Sequence, residues 1–233
     1  MRKVKTAPHR RHRLPTETFS FGEASDRLAE LFRNHGFPDL PRERQQKLLK
    51  FHFLLMKHQK TYNLTRLVKL RDVAIKHFID CLLVPRLTKL KFPLIDMGSG
   101  AGFPGIPLKI CFPEDRIILV EGVQKKVDFL KIVREELELK NLDIIGRKID
   151  ADFHYPAPGF ITRAVEEIPG NLKRIAHFVP KGGEVYFMKG PNVAEEIKQT
   201  QVELKNVFDL KADIPYQIPK TPHDRRLVIY TKL

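Results

Sequence analysis

The residues best suited to chemistry lie in the segment Leu94-Ile95-Asp96-Met97-Gly98-Ser99-Gly100-Ala101-Gly102-Phe103-Pro104-Gly105. An apolar run ends there in three glycines within five positions, which suits a chain that turns sharply and lets a ligand approach its backbone. The amides of the helix that follows would then face that ligand. A dinucleotide fingerprint needs G-x-G-x-x-G, and the position where its third glycine would fall is Phe103. The spacing here is G-x-G-x-G after Asp96, an acidic strand end suited to an ammonium group. S-adenosylmethionine has such a group and no pyrophosphate. Glu121 stands 23 residues after Gly98, close to the ~20-residue offset at which a carboxylate meets a ribose diol. Asp150 is a candidate contact to an adenine amino group, or simply a turn cap. Arg163 and Lys189 end two further strands, at the carboxyl edge where doubly wound folds bind ligands. Asn63 and His77 precede the sheet; capping and packing are the ordinary roles of such residues.

These positions imply a scaffold. The first 90 residues are helical in pattern. Ser20 with Glu23 has capping-box spacing, a second helix starts near Pro41, Thr61 to Arg66 is a polar loop, and a third helix covers 73–83. After Lys91 strands and helices alternate. Strands are expected at 92–97, 116–121, 143–146, 160–163 and 184–189, with helical pieces at 107–111, 123–139, 168–178 and 193–199. Segments 202–210 and 226–231 have strand composition and are expected to pair as a closing hairpin. The fold class is α/β, a doubly wound and mostly parallel sheet. Its expected organisation is an arm at 1–18, a helical region at 19–90 and a sheet domain at 91–233.

Forty-two basic residues against 28 acidic ones give a net charge of +14. That excess favours polyanionic partners, because each neutralised phosphate releases condensed counterions. Six of the positive charges (Arg2, Lys3, Lys5, Arg10, Arg11 and Arg13) precede residue 14, so +14 less these six leaves +8 for the body. No stretch nears the ~18 apolar residues of a membrane span, and no apolar run follows the basic N-terminus as a secretory signal requires. The expected location is the cytoplasm. Cys81 and Cys111 have no CxxC partner, and no metal site is expected.

Several motifs together resemble the bacterial small-subunit ribosomal RNA guanine-N7 methyltransferase family, RsmG or glucose-inhibited division protein B. The glycine loop, with its Pro104-Gly105-Ile106-Pro107 ending, is the most specific of them. Tyr62-Asn63-Leu64-Thr65 matches a second motif. Lys76-His77-Phe78-Ile79-Asp80-Cys81-Leu82 is similar to the family's Arg-His-x-x-Asp-Ser-Leu, with Lys and Cys as departures. The run from Glu121 to Leu130 follows its Asp-Ser-x-x-Lys-Arg-x-x-Phe-Leu, with Glu for Asp and Lys126 for Arg. Ile161-Thr162-Arg163-Ala164 and Met188-Lys189-Gly190 match two later strands.

The resemblance implies a Rossmann-like, class I S-adenosylmethionine-dependent methyltransferase. It implies that Gly98, Phe103, Ile149 and Asp150 contact the cofactor and that Arg163 lines the same site. With Asp96, Gly100, Gly102 and Glu121 these form the expected cofactor set. The implied reaction is methylation of N7 of a guanine in 16S ribosomal RNA. N7 is a lone-pair acceptor beside the O6 acceptor, so no general base is needed and the work is positioning and electrostatics. Arg163 and Lys189 are the expected catalytic residues. Asn63, Arg66, His77, Lys125 and Lys126 are the expected RNA-side residues. The partner is ribosomal RNA or the small subunit, and nothing demands more than a monomer. Three alternatives stay open: a non-catalytic RNA-binding or ribosome-assembly protein with a vestigial pocket, a nicotinamide dehydrogenase disfavoured by Phe103, and a small-molecule methyltransferase.

Overall fold

The computed structural model describes residues 19–163 and 166–233. The basic arm expected at 1–18, and Ala164 of the fourth-strand motif, lie outside the described residues. Seven strands form one sheet: β1 (Leu94–Met97), β2 (Ile117–Val120), β3 (Leu142–Ile145), β4 (Gly159–Arg163), β5 (Glu184–Lys189), β6 (Phe208–Gln217) and β7 (Asp224–Lys232). Their order is β3-β2-β1-β4-β5-β7-β6. The first five pair in parallel, while β7 runs antiparallel to both β5 and β6. The order reverses between β1 and β4, the topological switch point at which open α/β sheets bind ligands.

Alternation along the central strands sorts side chains onto two cores. Leu94, Ile117, Leu119, Ile161, Tyr186 and Ile229 join one, and Ile95, Ile118, Val120, Phe160, Phe187 and Tyr230 the other. The first core is covered by α1 (Phe21–Asn34), α2 (Arg42–Tyr62), α3 (Leu70–Val73), α4 (Asp80–Leu87), α5 (Gly105–Cys111) and α6 (Gln124–Glu136). The second is covered by α7 (Ile168–Ile175) and α8 (Ala194–Glu203). Phe51 of α2 packs on Phe78, Phe103 and Phe129, with ring centroids 6.0, 5.2 and 6.5 Å away. The helical region therefore shares its core with the sheet. Each such buried ring contributes roughly 1.5–3 kcal/mol.

The capping box forms as its spacing predicts: Ser20 N donates to Glu23 Oε2 at 2.9 Å, and Glu23 N donates to Ser20 Oγ at 3.3 Å. Three expectations need correction. The polar loop expected from Thr61 begins only at Asn63, because α2 continues to Tyr62 and ends on Asn63 in the left-handed conformation, φ 51°. The third helix is longer than 73–83: α3 and α4 are joined by a π-helical stretch, Ala74–Ile79. The hairpin strand expected at 202–210 is placed too early. Val202 lies in α8, and β6 begins at Phe208 and runs to Gln217. As the last strand of the sheet β6 has one unpaired edge, which is where Pro215 and alternating polar residues are tolerated.

Candidate functional site

The glycine loop leaves the carboxyl end of β1 and closes on itself. Gly98 and Ser99 amides donate to Val120 O at 2.9 and 3.0 Å, and Ser99 Oγ donates to Asp96 O at 3.0 Å. Two positions admit only glycine. Gly102 has φ +96°, and an added Cβ would lie 2.5 Å from Ile106 Cγ1. At Gly105 a Cβ would collide with Leu119 and lie 2.6 Å from Asp96 Oδ2.

The two carboxylates expected to face a ligand are engaged by the loop. Asp96 is fully buried, and its Oδ2 accepts from the Gly105 amide at 2.9 Å. Its Oδ1 is buried and has no partner among the described residues. Burial, opposed by the Gly105 hydrogen bond, pushes its pKa up to about 7. Glu121 is also buried; its oxygens accept from the Gly100 and Val123 amides, each at 2.8 Å. A carboxylate oxygen has two lone pairs, so each retains capacity for a second donor.

Beside this loop lies a cavity of about 370 Å³, walled by Met97, Gly98, Val120, Gly122, Ile149 and Ile175, with Arg147, Lys148, Asp150 and Arg174 among its polar residues. Its size falls in the range of about 300–1,000 Å³ usual for ligand pockets. Gly98, Ile149 and Asp150 therefore stand together, as expected. Asp150 is half-exposed, pairs with Arg147 at 2.7 Å and caps the Asp152 amide at 3.2 Å, so the turn-cap role is real. Gly100 is held by Glu121, and Gly102 lies deeper under Ile106. The Phe103 ring is turned into the core beside Phe51 and Phe78 and is 6% exposed. Any ligand contact it makes falls to its backbone or ring edge.

On the other flank of the β1–β4 junction a second cavity, about 400 Å³, is lined by Leu67, Lys76, His77, Asp80, Arg163, Met188, Lys189, Gly190 and Arg225. Arg163 is 16% exposed and its guanidinium sits 5.1 Å above the Phe103 ring, a cation–π arrangement. Its Nη1 donates to Lys76 O at 3.3 Å, and its Nη2 lies 3.2 Å from His77 Nδ1. The same Nδ1 lies 3.0 Å from Lys76 O, so the guanidinium and that carbonyl converge on one ring nitrogen, while Nε2 pairs with Thr65 Oγ1 at 3.3 Å. Burial, reinforced by the Arg163 charge, lowers the His77 pKa to about 3, so the ring is neutral. Lys189 is 13% exposed, donates to Glu166 O at 2.8 Å and pairs with Glu196 at 2.7 Å.

Arg163, Lys189 and His77 thus meet at one cavity. Asn63 and Arg66 are exposed residues around the end of α2, and Lys125 and Lys126 lie on the first turn of α6; none of these four lines that cavity. The sequence gives no signal for Tyr216 or Arg225, and it shows Thr65 and Asp80 only as members of motifs, with no role. The carboxylate of Asp80 accepts from Tyr216 Oη at 2.9 Å, and burial pushes its pKa up against the pull of Arg163 and Arg225. The similar motif, with His77 and Asp80 three residues apart, was the one available signal. Among the described residues no group of three His, Cys, Asp or Glu could hold a metal, and no helix is long and apolar enough to cross a membrane.

Residues 44–226 match the family described as GidB, rRNA small subunit methyltransferase G. The ribosomal RNA small subunit methyltransferase G 2 of Bdellovibrio bacteriovorus is 51% identical over 223 residues, covering 96% of this chain and 88% of that protein. The ribosomal RNA small subunit methyltransferase G of Carboxydothermus hydrogenoformans is 33% identical, covering 89% and 91%. Among solved structures, MtNAS in complex with S-adenosylmethionine aligns with TM-score 0.55 and 13% identity over 91% of this chain and 96% of that one. A SAM-dependent O-methyltransferase from Thermotoga maritima aligns with TM-score 0.51 and 12% identity over 77% and 71%. At such identity these two show the fold alone.

Proposed function

This chain belongs to the rRNA small subunit methyltransferase G family, and from that premise we propose that it methylates N7 of a guanine in 16S ribosomal RNA, using S-adenosylmethionine. The observation that carries this reading is the pair of cavities flanking the β1–β4 switch point, one against the glycine loop and one around Arg163.

The residues fit the cofactor. Gly98 and Ile149 wall a nucleoside-sized space, Asp150 stands at its rim, and the Oδ1 of Asp96, partnerless among the described residues, and the spare lone pairs of Glu121 lie at the loop. Bound S-adenosylmethionine supplies an electrophilic methyl group. Arg163 holds the base edge: two of its donors are fixed by Lys76 O and His77, and the remaining N–H groups suit guanine O6. Neutral His77, itself anchored by Thr65, sets the guanidinium plane over Phe103. No residue removes a proton, because N7 offers a lone pair. Lys189, held by Glu196 and the Glu166 carbonyl, shapes the wall of the same cavity, and Arg66, Lys125 and Lys126 contact RNA further out. The chain acts as a monomer in the cytoplasm, where its substrate resides, with an arm at 1–18, a helical region at 19–90 and a methyltransferase domain at 91–233.

Mass spectrometry of nucleosides from small-subunit RNA, with and without this gene, tests the reading. Loss of one 7-methylguanosine is expected on deletion; an unchanged nucleoside profile refutes it.

A further inference from the structure

We propose that Arg225 is a second substrate-contacting arginine of the cavity around Arg163, binding a phosphodiester of the RNA, and that Asp80 is the positioning residue that aims it. The proposal rests on the RNA-methyltransferase reading above and names a residue that reading does not use.

Asp80 is buried, and each of its oxygens has a task. Oδ1 accepts from Tyr216 Oη at 2.9 Å, and Oδ2 lies 3.7 Å from both Arg163 Nη1 and Arg225 Nε. One carboxylate therefore faces two guanidiniums, leaving a net positive charge at the cavity wall. At 3.7 Å the two arginines are drawn toward Asp80 without closed hydrogen bonds, so Arg225 Nε is not consumed there. Arg225 spends one donor on Asp224 O at 3.0 Å and is 26% exposed. Its neighbour Arg226 is bound at both Nε and Nη2 by Asp213. Side chains alternate along β7: Arg226 is neutralised, whereas Arg225 lines the cavity with Lys189. A planar fork with spare donors beside unbalanced positive charge is the arrangement that takes a phosphate in two-pronged fashion.

The test compares Arg225→Gln, Arg225→Lys and Arg226→Gln in the full chain, using small ribosomal subunits from cells lacking this gene. Arg225→Gln should make the slope of log affinity against log salt shallower by about 1. It should raise KM for subunits about tenfold, with S-adenosylmethionine affinity by calorimetry unchanged. Arg226→Gln should keep the parental slope and KM. Arg225→Lys should keep the slope, since the charge remains, and raise KM, since the fork is lost. A folded Arg225→Gln protein with parental slope and KM overturns the proposal. If Arg225→Gln melts early, Arg225→Lys decides: a flattened slope or a parental KM in that variant overturns it. Should the parental chain bind subunits but transfer no methyl group, the functional reading fails while the slope comparison still judges Arg225.

Discussion

Arg163 is held from four sides: the Lys76 carbonyl, the His77 ring, the Asp80 carboxylate and the Phe103 face. A group fixed this way needs no reorganisation when charge develops beside it, the condition under which one donor is worth about 10²–10³ in rate. Arg163→Ala should therefore lower kcat by at least about a hundredfold while the affinity for S-adenosylmethionine changes far less; turnover on small subunits beside calorimetry reads both. His52, on α2, is a different case. It is buried, its Nδ1 has no partner among the described residues, and burial lowers its pKa to about 4. Unfolded, it would titrate near 6.5. Its contribution is fully present above that value and is lost as pH falls through about 4, because the unfolded chain takes up the proton first. His52→Leu should be more acid-resistant than the parent, by about 2–3 kcal/mol near pH 4, in denaturant titrations from pH 7 to pH 4. The identities of Arg163 and His77 were legible as motif residues. Their joint placement with Tyr216 was not, since Tyr216 and Asp80 are 136 residues apart and no local spacing encodes such a contact.

Among the elements, the central strands and the loop after β1 were legible because buried parallel strands read as short apolar runs ended by glycine. Strand β5 appears at the residues its pattern indicates, Glu184–Lys189. The π-helical stretch was not legible, since the apolar period of 74–79 differs little from that of an ordinary helix. Its consequence is functional: π-helical turns frequently occur at working sites, and this one carries both His77 and the Lys76 carbonyl that receives Arg163. The loop imposes a sharper constraint. Gly105→Ala would push a methyl group into Leu119 and Asp96, with a cost of about 1–3 kcal/mol or more from overpacking. The expected outcome is a lowered melting temperature and lost affinity for S-adenosylmethionine, read by thermal unfolding with and without it. Gly22→Ala, where a Cβ meets nothing within 4 Å, is the matched control.

Across the whole molecule, charge decides how RNA is approached. Six of the positive charges fall in the first 13 residues, and a basic segment contributes sequence-independent affinity through counterion release. Removing residues 1–18 should weaken binding to small subunits and flatten its salt dependence by up to about 4 in log–log slope. The melting temperature and S-adenosylmethionine affinity should hold. Equal salt slopes for the two proteins would mean that the segment makes no phosphate contact.

The two cavities share no lining residue and open on opposite flanks of one ridge of strand ends. A molecule with separate doorways for its small and its large reactant can exchange one while the other stays seated. On that geometry the spent donor should leave without first ejecting the ribosomal particle. Labelled S-adenosylhomocysteine should accordingly dissociate from the chain at the same rate with and without saturating particles. Release slowed by the particles would mean that one doorway closes when the other is filled.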